Sequence, residues 1–506
     1  MKRMEFTLVA VVGLARYVVT ADLALIPAPR EMTVTGGACP CATAPKVEVV
    51  ASIPPEGYEL SVRRDGVTIR HSDEAGLFYA KTTLAQLRNR GGAGFRATAQ
   101  ATDGQKPVPA EIPCVEIKDA PAFKWRGLML DECRHFFGKE TVKGILDLMA
   151  AYKLNVFHWH LTEDQGWRLD ISGFPELVQY GAVRPESPKH GCRGVQGDYR
   201  GNGQPYGPFF YTPDDVREIL AYAKERFITV VPEIEVPGHI RALLAAHPEF
   251  ACREGVPRVP CTLNGIEGDV LCAGNDEAIA LMEKVYDEVC ALFPGTYIHI
   301  GGDECPKKRW KECPKCQTRI KALGLGNEDG LQAWVTRHFT EHLAKKGRRA
   351  VGWDEILAGN PGTETVVHNW RKPEFGVKAA EKGHDVVISS SRTTYFSVSQ
   401  GVKDDPFDYY SRRRLPLSVA YTFNPLAGMS AEARGRVLGA ECCAWSECIW
   451  NEYDLAFKLW PRGFAFAEVL WTYPDPAKRD FAEFSVRAAE HRRRLIDAHV
   501  NCAPLK

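Results

Sequence analysis

The 506-residue sequence lacks a surplus of charge of either sign, because 64 Lys and Arg residues balance 64 Asp and Glu residues. A general nucleic-acid binder needs a basic excess to neutralise phosphates, so this class is disfavoured, although a local basic patch stays open. No segment after the N-terminus approaches the roughly 18 consecutive apolar residues that a membrane span requires. The sequence also has no low-complexity tract and no repeat of fixed period. We therefore expect a globular protein with no nucleic-acid partner and no membrane span.

The N-terminus combines a basic start with a short apolar run. Lys2 and Arg3 precede apolar residues 6–15, a pattern typical of a signal peptide, here over residues 1–20. Glu5 before the run and Arg16 after it fit a first strand or a frayed terminus nearly as well. The signal-peptide interpretation slightly favours export to the periplasm or the exterior and leaves the compartment open.

The 16 cysteines are too sparse for a small disulfide scaffold. Cys313 and Cys316 form the one CxxC motif, and Cys305 lies just upstream. These three thiols could hold zinc, or two of them could form a disulfide. No fourth ligand is evident from the spacing, which favours plain thiols or a disulfide over a metal site.

Residues 21–118 predict a small α+β domain. Alternating apolar residues predict strands at 47–50, 58–62 and 67–70, and residues 75–88 have helical spacing. A group of prolines then marks a domain boundary: Pro107, Pro109, Pro113 and Pro121.

Residues 119–506 predict a (β/α)8 TIM barrel with a C-terminal helix. Eight short apolar strands are expected at 126–131, 155–160, 228–233, 297–302, 350–353, 365–368, 385–388 and 437–440. Helices are expected between them, including residues 140–152, a helix beginning near Pro213, and residues 455–469. A doubly wound sheet is the alternative, but no glycine-rich phosphate loop follows the first strand. The fold class is therefore α/β, with the barrel preceded by the small α+β domain.

Polar and aromatic residues collect where the predicted barrel strands end. A single carboxylate there is often only a helix N-cap, as could hold for Asp354 or Glu355, and a tryptophan is often core. Repetition at nearly every strand is harder to explain in that way. Flat aromatic faces pack against sugar C–H faces, and a carboxylic acid can protonate a glycosidic oxygen. The pattern predicts a barrel that processes glycosides.

Four motifs carry a resemblance to a known family. RHFF at 134–137, HWHLTEDQGWR at 158–168, PGH at 237–239 and HIGGDE at 299–304 resemble family 20 glycoside hydrolases, the β-N-acetylhexosaminidases. GLFYA at 76–80 and TLAQL at 83–87 resemble the α+β domain that precedes the barrel in that family. A lone Gly-Gly-Asp-Glu would not be specific, whereas this combination in this order is.

The resemblance implies an exo-acting, retaining hydrolase that removes terminal N-acetylglucosamine or N-acetylgalactosamine and needs no cofactor. The family has no carboxylate nucleophile, because the substrate's 2-acetamido oxygen attacks the anomeric carbon. Glu304 would be the general acid and then the base, and Asp303 would accept the acetamido N–H. Adjacent strand residues point to opposite faces, so both can serve one pocket only if the strand ends there, as Gly301 and Gly302 allow.

The same match implies further roles around the pocket. Arg134 and Glu447 would hold the ring hydroxyls, and His239 would pair with the Glu163 carboxylate. Aromatic residues would complete the site, with Tyr395 donating its hydroxyl to the acetamido oxygen and three tryptophans forming the wall: Trp353, Trp370 and Trp445.

Two positions depart from the family pattern. Glu163 stands where the family usually has Asp, so the charge is kept and the reach is longer. Ser397 stands where the family commonly has an Asp near O4 and O6 of the sugar. Loss of that negative charge leads to the hypothesis that an O6 substituent such as sulfate is tolerated, with Arg392 assisting.

Three alternatives stay open. A family 20 enzyme of the lacto-N-biosidase type would release a disaccharide, depending on the loop around residues 179–211. A non-catalytic sugar-binding barrel would be expected to lose Glu304 or Asp303. A metal-dependent hydrolase could use His158 and His160, although we expect no metal in the site. A glycan substrate is expected in each case, and the sequence does not indicate an oligomeric state.

Overall fold

The computed structural model describes residues 23–40, 42–88, 111–188, 201–402, 405, 413–472 and 475–505. The expected signal peptide at residues 1–20 lies outside the described residues. Within these ranges, no helix has both the length and the apolar character needed to cross a membrane.

The N-terminal unit is a five-stranded sheet covered by one long helix. Its strands are β1 (Glu31–Pro40), β2 (Pro45–Val49), β3 (Tyr58–Arg63), β4 (Gly66–His71) and β5 (Glu111–Asp119), in the order β1-β5-β3-β4-β2. Leu84 and Leu87 of the helix Glu74–Arg88 are buried among apolar side chains of the sheet. The three predicted strands and the helix are confirmed, whereas β1 and β5 were not predicted.

In the two strands that were not predicted, β1 and β5, glycine and proline residues interrupt the alternation of apolar and polar side chains that marks a strand. Gly36 and Gly37 adopt positive φ angles within β1, where the pairing with β5 shifts register between Val34 and Ala38. Pro113, expected to mark the boundary, instead pairs with Ala38 within β5. A proline is tolerated at such an irregularity because no regular ladder hydrogen bond is lost there.

Eight parallel strands close into the predicted barrel. They are β6 (Trp125–Asp131), β7 (Val156–His160), β10 (Thr229–Glu233), β11 (Tyr297–His299), β12 (Arg349–Trp353), β13 (Val366–Asn369), β14 (Val386–Ile388) and β15 (Val437–Ala444). A small hairpin, β8 (Thr162–Glu163) and β9 (Gly166–Trp167), follows β7. The TIM barrel and the small domain before it are confirmed.

Helices pack outside the strands with two departures from a regular alternation. The principal ones are Lys139–Ala151, Pro213–Lys224, Asp276–Leu292, Glu328–Lys345, Pro373–Glu381, Leu417–Thr422, Glu452–Leu459, Arg462–Trp471 and the C-terminal Phe481–Asp497. Shorter ones are Glu176–Gly181, Arg241–Ala246, Lys308–Glu312, Pro314–Ala322 and Ala431–Arg434. Between β12 and β13 a 3-10 segment, Asp354–Gly359, stands where a longer helix is usual. The single helix expected at 455–469 is two helices, because Pro461 has no N–H to continue the first.

The barrel interior is layered. Its lower end is apolar, with Trp125, Val156, Val231, Val351, Val366 and Val387. Above them lies a buried polar layer in which Glu233 binds His158 and His299 at 3.0 and 2.8 Å, and Glu441 binds His158 at 2.7 Å. The upper layer is aromatic and contains Trp353 and Trp445. The polar layer therefore supports the aromatic layer that faces the strand ends.

A buried carboxylate connects the N-terminal unit to the barrel. Asp119, at the end of β5, accepts hydrogen bonds of 2.9 Å from Trp471 Nε1 and of 3.1 Å from Lys153 Nζ. The Lys153 ammonium also lies 4.4 Å from the centre of the Trp471 ring. Because all three side chains are buried, the two units share one interface.

The structure brings together a different set of cysteines from the one expected from the sequence. Cys313 and Cys316 approach Cys252 and Cys272, and Cys305 is not part of this group. The cysteines of the described ranges are all free thiols, so of the two favoured alternatives for Cys305, Cys313 and Cys316 the structure has plain thiols and not a disulfide.

Candidate active site

The carboxyl end of β11 brings two adjacent acidic residues to one rim. The strand ends at His299, and the backbone then turns through positive φ angles at Gly301 (65°), Gly302 (95°) and Glu304 (44°). The strand therefore ends before Asp303 and Glu304, as Gly301 and Gly302 in the sequence indicated. The side chains of Asp303 and Glu304 are 13% and 36% exposed, so both reach solvent from the same turn.

His239 lies between this pair and a second set of acids. Its Nε2 is 3.7 Å from Asp303 Oδ2 and 3.6 Å from Glu304 Oε2. Its Nδ1 is 2.7 Å from Glu163 Oε1 and 3.2 Å from Asp164 Oδ2. The expected neighbours are thus in place, with Asp164 as an additional one that the sequence reasoning did not assign to His239.

The charge states of Glu163, Asp303 and His239 influence one another, with the His239 imidazole lying between the two acids. Burial favours the neutral ring, but Glu163 and Asp303 together raise the pKa of His239 well above its usual value. Burial raises the pKa of Asp303 to about 7, with Glu233, Glu304 and Glu163 adding to the effect and His239 opposing it. A cationic His239 beside a carboxyl that titrates near neutrality is an arrangement typical of catalytic sites.

Arg134 and Glu163 form a buried ion pair at the same rim. Arg134 Nη2 is 3.1 Å from Glu163 Oε2 and its Nη1 is 3.1 Å from Asp131 Oδ2. Its Nε donates to Gln165 Oε1 at 2.9 Å. All three nitrogens of the Arg134 guanidinium therefore contact a side-chain oxygen at this rim.

Four aromatic side chains pack together at the strand ends of the barrel. Trp353 and Trp445 are buried, with ring centres 5.8 Å apart, and Trp370 and Tyr395 are half-buried. The Trp370 and Tyr395 rings are nearly parallel at 15°, with centres 6.4 Å apart. Tyr395 follows β14 and pairs with Cys443 of β15, which places it beside Trp445. The expected aromatic wall is assembled.

Glu447 is half-buried and lies close enough to Arg134 to contribute to the raised pKa of that guanidinium. Its main-chain carbonyl accepts a hydrogen bond of 3.4 Å from Asn264 Nδ2. The two residues expected to hold ring hydroxyls are therefore neighbours.

Ser397 is placed differently from its neighbour Tyr395. The side chain is 1% exposed, and its hydroxyl has no hydrogen-bond partner among the described residues. The Ser397 side chain is therefore buried, whereas Tyr395 is half-buried and Arg392 is exposed.

Three glutamates near the site were not assigned from the sequence. Glu233 accepts a hydrogen bond of 2.8 Å from Trp353 Nε1, and Glu355 accepts one of 3.0 Å from Trp370 Nε1. Burial, with Asp303 and Asp354, raises the pKa of Glu355 to about 8. Glu235 is 1% exposed without a hydrogen-bond partner in the described chain, and burial and Asp303 raise its pKa well above the usual value. Their positions at strand ends were the signal available in the sequence, with Glu233 ending β10, Glu235 following it and Glu355 following β12.

His158 and His160 face into the barrel, as their alternation indicates. Each contacts a buried glutamate: His158 binds Glu233 and Glu441, and His160 binds Glu233 and Glu163. Carboxylates from three neighbouring segments thus surround the pair beneath the aromatic layer. Each imidazole therefore has carboxylate partners within the barrel interior.

Comparison with known proteins identifies the barrel. Residues 123–474 match the model of the glycosyl hydrolase family 20 catalytic domain, and residues 43–120 match domain 2 of that family. The chain belongs to glycosyl hydrolase family 20. The resemblance seen in the motifs is therefore confirmed, and the site described above lies in the family's catalytic domain.

Curated family 20 relatives match most of this chain. It is 41% identical over 448 residues to a β-hexosaminidase of Porphyromonas gingivalis, covering 87% of this chain and 54% of that protein. It is 30% identical to a β-hexosaminidase of Akkermansia muciniphila, covering 94% of this chain and 91% of that one. The chain thus spans about half of the first relative and nearly all of the second.

Solved family 20 structures share the architecture. An exo-β-N-acetylglucosaminidase from Vibrio harveyi in complex with N-acetylglucosamine superposes with a TM-score of 0.80 at 29% identity, covering 96% of this chain and 78% of that one. A β-hexosaminidase mutant of Streptomyces plicatus in complex with its product superposes with a TM-score of 0.78 at 27% identity, covering 96% and 98%.

Proposed function

We propose that the protein is an exo-acting β-N-acetylhexosaminidase that removes terminal N-acetylglucosamine or N-acetylgalactosamine with retention of configuration. The observation that carries the proposal is the Asp303–Glu304 pair on one turn beside His239, at the same end of the barrel as the clustered aromatic side chains. Family membership and the names of the relatives support the same activity.

The reaction begins with attack by the substrate's own acetamido oxygen on the anomeric carbon. Glu304 gives its proton to the glycosidic oxygen as the bond to the leaving group breaks. The oxygen–carbon bond that forms closes an oxazolinium ring, so no side-chain nucleophile is needed. Glu304, now a carboxylate, takes a proton from water, and that water opens the ring by attack at the anomeric carbon.

Asp303 and Tyr395 act on the acetamido group in this scheme. The Asp303 carboxylate accepts the N–H and stabilises the positive charge that develops on the ring. The Tyr395 hydroxyl donates to the acetamido oxygen and holds it in line for attack. His239, fixed by Glu163, keeps a positive charge beside both acids, and Arg134 with Glu447 binds the outer hydroxyls.

We also propose that the pocket accepts N-acetylglucosamine carrying a 6-sulfate. Ser397 supplies no negative charge at a position where a carboxylate would repel an anionic substituent. Its hydroxyl is buried and has no partner among the residues described, so this position contributes neither a charge nor a committed hydrogen bond.

A panel of 4-nitrophenyl glycosides tests the activity. We expect turnover of the N-acetylglucosaminide and the N-acetylgalactosaminide, release of the β-anomer, and competitive inhibition by a thiazoline that mimics the cyclised intermediate. Turnover of a disaccharide glycoside alone would assign the chain to the lacto-N-biosidase type. Binding of N-acetylglucosamine without any turnover would identify a sugar-binding barrel, and failure of the thiazoline to bind would contradict substrate assistance.

A further inference from the structure

Four cysteines from two separate parts of the chain converge beside the catalytic loops. Cys252 and Cys272 lie in the segment between β10 and the helix Asp276–Leu292, and Cys313 and Cys316 form the CxxC after β11. We call Cys252, Cys272, Cys313 and Cys316 the four-cysteine cluster. All four sulfur atoms lie within 4.8 Å of one another, and Cys272, Cys313 and Cys316 are buried.

The sulfur separations match a tetrahedral metal site. Cys272 Sγ is 3.6 Å from Cys313 Sγ and 3.8 Å from Cys316 Sγ, and Cys252 Sγ is 3.7 Å from Cys316 Sγ. Zn–S bonds of about 2.3 Å at tetrahedral angles place sulfur atoms about 3.8 Å apart. A disulfide requires about 2.05 Å between the two sulfur atoms. The observed separations are therefore those of ligands around one ion.

The backbone on both sides of the four-cysteine cluster allows its two segments to pack closely. Cys313 is the N-cap of the helix Pro314–Ala322, and the positive end of a helix favours a thiolate. A Cβ at Gly274 would lie 2.2 Å from the carbonyl carbon of Lys315 and 2.3 Å from Cys316 N. The loop after Cys272 thus packs directly on the CxxC backbone, which only glycine permits.

We propose that the four-cysteine cluster is a structural Zn²⁺ site. Four Zn–S bonds form as the four thiols release their protons, and the four protein ligands leave no open position for substrate or water. The zinc would therefore hold the fold and take no part in glycoside hydrolysis.

The site joins the two loops that carry the catalytic candidates. Leu271 N donates to Pro237 O at 3.0 Å, next to the segment that leads to His239. Trp310 Nε1 donates to Leu271 O at 2.8 Å from the loop that follows Glu304. Asp269 accepts from both Arg253 and Arg309, each at 2.8 Å to Oδ1. Zinc bound here would fix the His239 loop against the Glu304 loop.

Metal content of the full chain, produced in zinc-supplemented medium, tests the proposal. We expect about one zinc per chain by elemental analysis, as four thiolates bind one ion. We expect the double variant Cys313→Ser/Cys316→Ser to lose it, whereas Cys290→Ser, which changes a buried cysteine outside the cluster, keeps it. Zinc loss should also lower Tm by several degrees relative to Cys290→Ser.

Replacing zinc by Co²⁺ in the wild-type protein provides a spectroscopic test that does not require any variant to fold. Co²⁺ in the cluster should show thiolate-to-metal charge-transfer absorption and the intense d–d bands of a tetrahedral site. Substoichiometric zinc in wild type with all four thiols reactive in the native protein would overturn the proposal. So would stoichiometric iron, or disulfides among the four cysteines found by mass spectrometry. These readouts are independent of glycosidase activity.

Discussion

His239 Nδ1 lies 2.7 Å from Glu163 Oε1, at a position where the family resemblance implies the shorter side chain of aspartate. The longer carboxylate reaches both His239 and Arg134, so it sets the position of the two cations at the rim.

Shortening that side chain should disturb the site without removing its charge. We expect Glu163→Asp to lower kcat/KM by about 10- to 100-fold, because misplacing a positioning group by about 1 Å costs roughly this much. The loss should fall mainly on kcat and shift the pH profile, since His239 keeps its charge through Glu163. Steady-state kinetics across pH check this, with Glu140→Asp on the protein surface as the control. An unchanged pH profile would contradict a positioning role.

Replacing the proposed general acid should separate substrates by leaving group. We expect Glu304→Gln to lower kcat on alkyl glycosides by about 10²- to 10⁴-fold, because the glycosidic oxygen is no longer protonated. The loss should be smaller on 2,4-dinitrophenyl glycosides, whose leaving group needs no proton. Kinetics on both substrate types measure the difference, with the exposed Glu312→Gln as the control. Equal losses on both would remove Glu304 from the acid role.

The ionisation of Asp303 should make activity fall at low pH and stability fall at high pH. Its pKa of about 7 lies above the usual 3.8, so the folded state binds this proton more tightly than the unfolded state does. The ionised carboxyl therefore destabilises the fold progressively above pH 4 and fully above pH 7, and kcat/KM should fall below about pH 7 as the carboxylate is protonated.

The variant Asp303→Asn tests both effects. It should raise Tm at pH 8 and leave it nearly unchanged at pH 4, because only the ionised form carries the cost of burial. It should also lower kcat by about 10²-fold or more through loss of the charge that stabilises the acetamido group. Thermal unfolding at the two pH values and kinetics at pH 8 measure these changes. A Tm difference independent of pH would show that the carboxyl does not titrate as described.

Introducing a carboxylate at Ser397 should decide the sulfate hypothesis. We expect Ser397→Asp to lower kcat/KM on the 6-sulfated N-acetylglucosaminide by about 10-fold or more relative to the plain sugar, through like-charge repulsion. Ser397→Asn has the same shape without the charge and should leave the ratio near that of wild type. If wild type discriminates against sulfate as strongly as Ser397→Asp does, the hypothesis fails.

The barrel was predictable because its strands are buried on both faces and so appear as short apolar runs between helices. The same logic located the rim, since active-site side chains in this fold follow the strand ends. The prediction of one continuous helix over residues 455–469 was wrong, because it followed the apolar periodicity and gave too little weight to Pro461, which separates two helices. Strands β1 and β5 were missed because glycine and proline mask their alternation.

The order of the eight barrel strands, the acidic and aromatic residues at the strand ends and the family to which they belong follow from the sequence alone. These features depend on residues close together in the chain, whose hydrogen bonding and burial follow local periodicity. Only the tertiary structure decided that His239 bridges Glu163 and Glu304, that Glu233 and Glu355 hold the tryptophans, and that Cys252 and Cys272 join the CxxC. Those contacts link distant segments, and the packing of loops at one end of a closed barrel sets them.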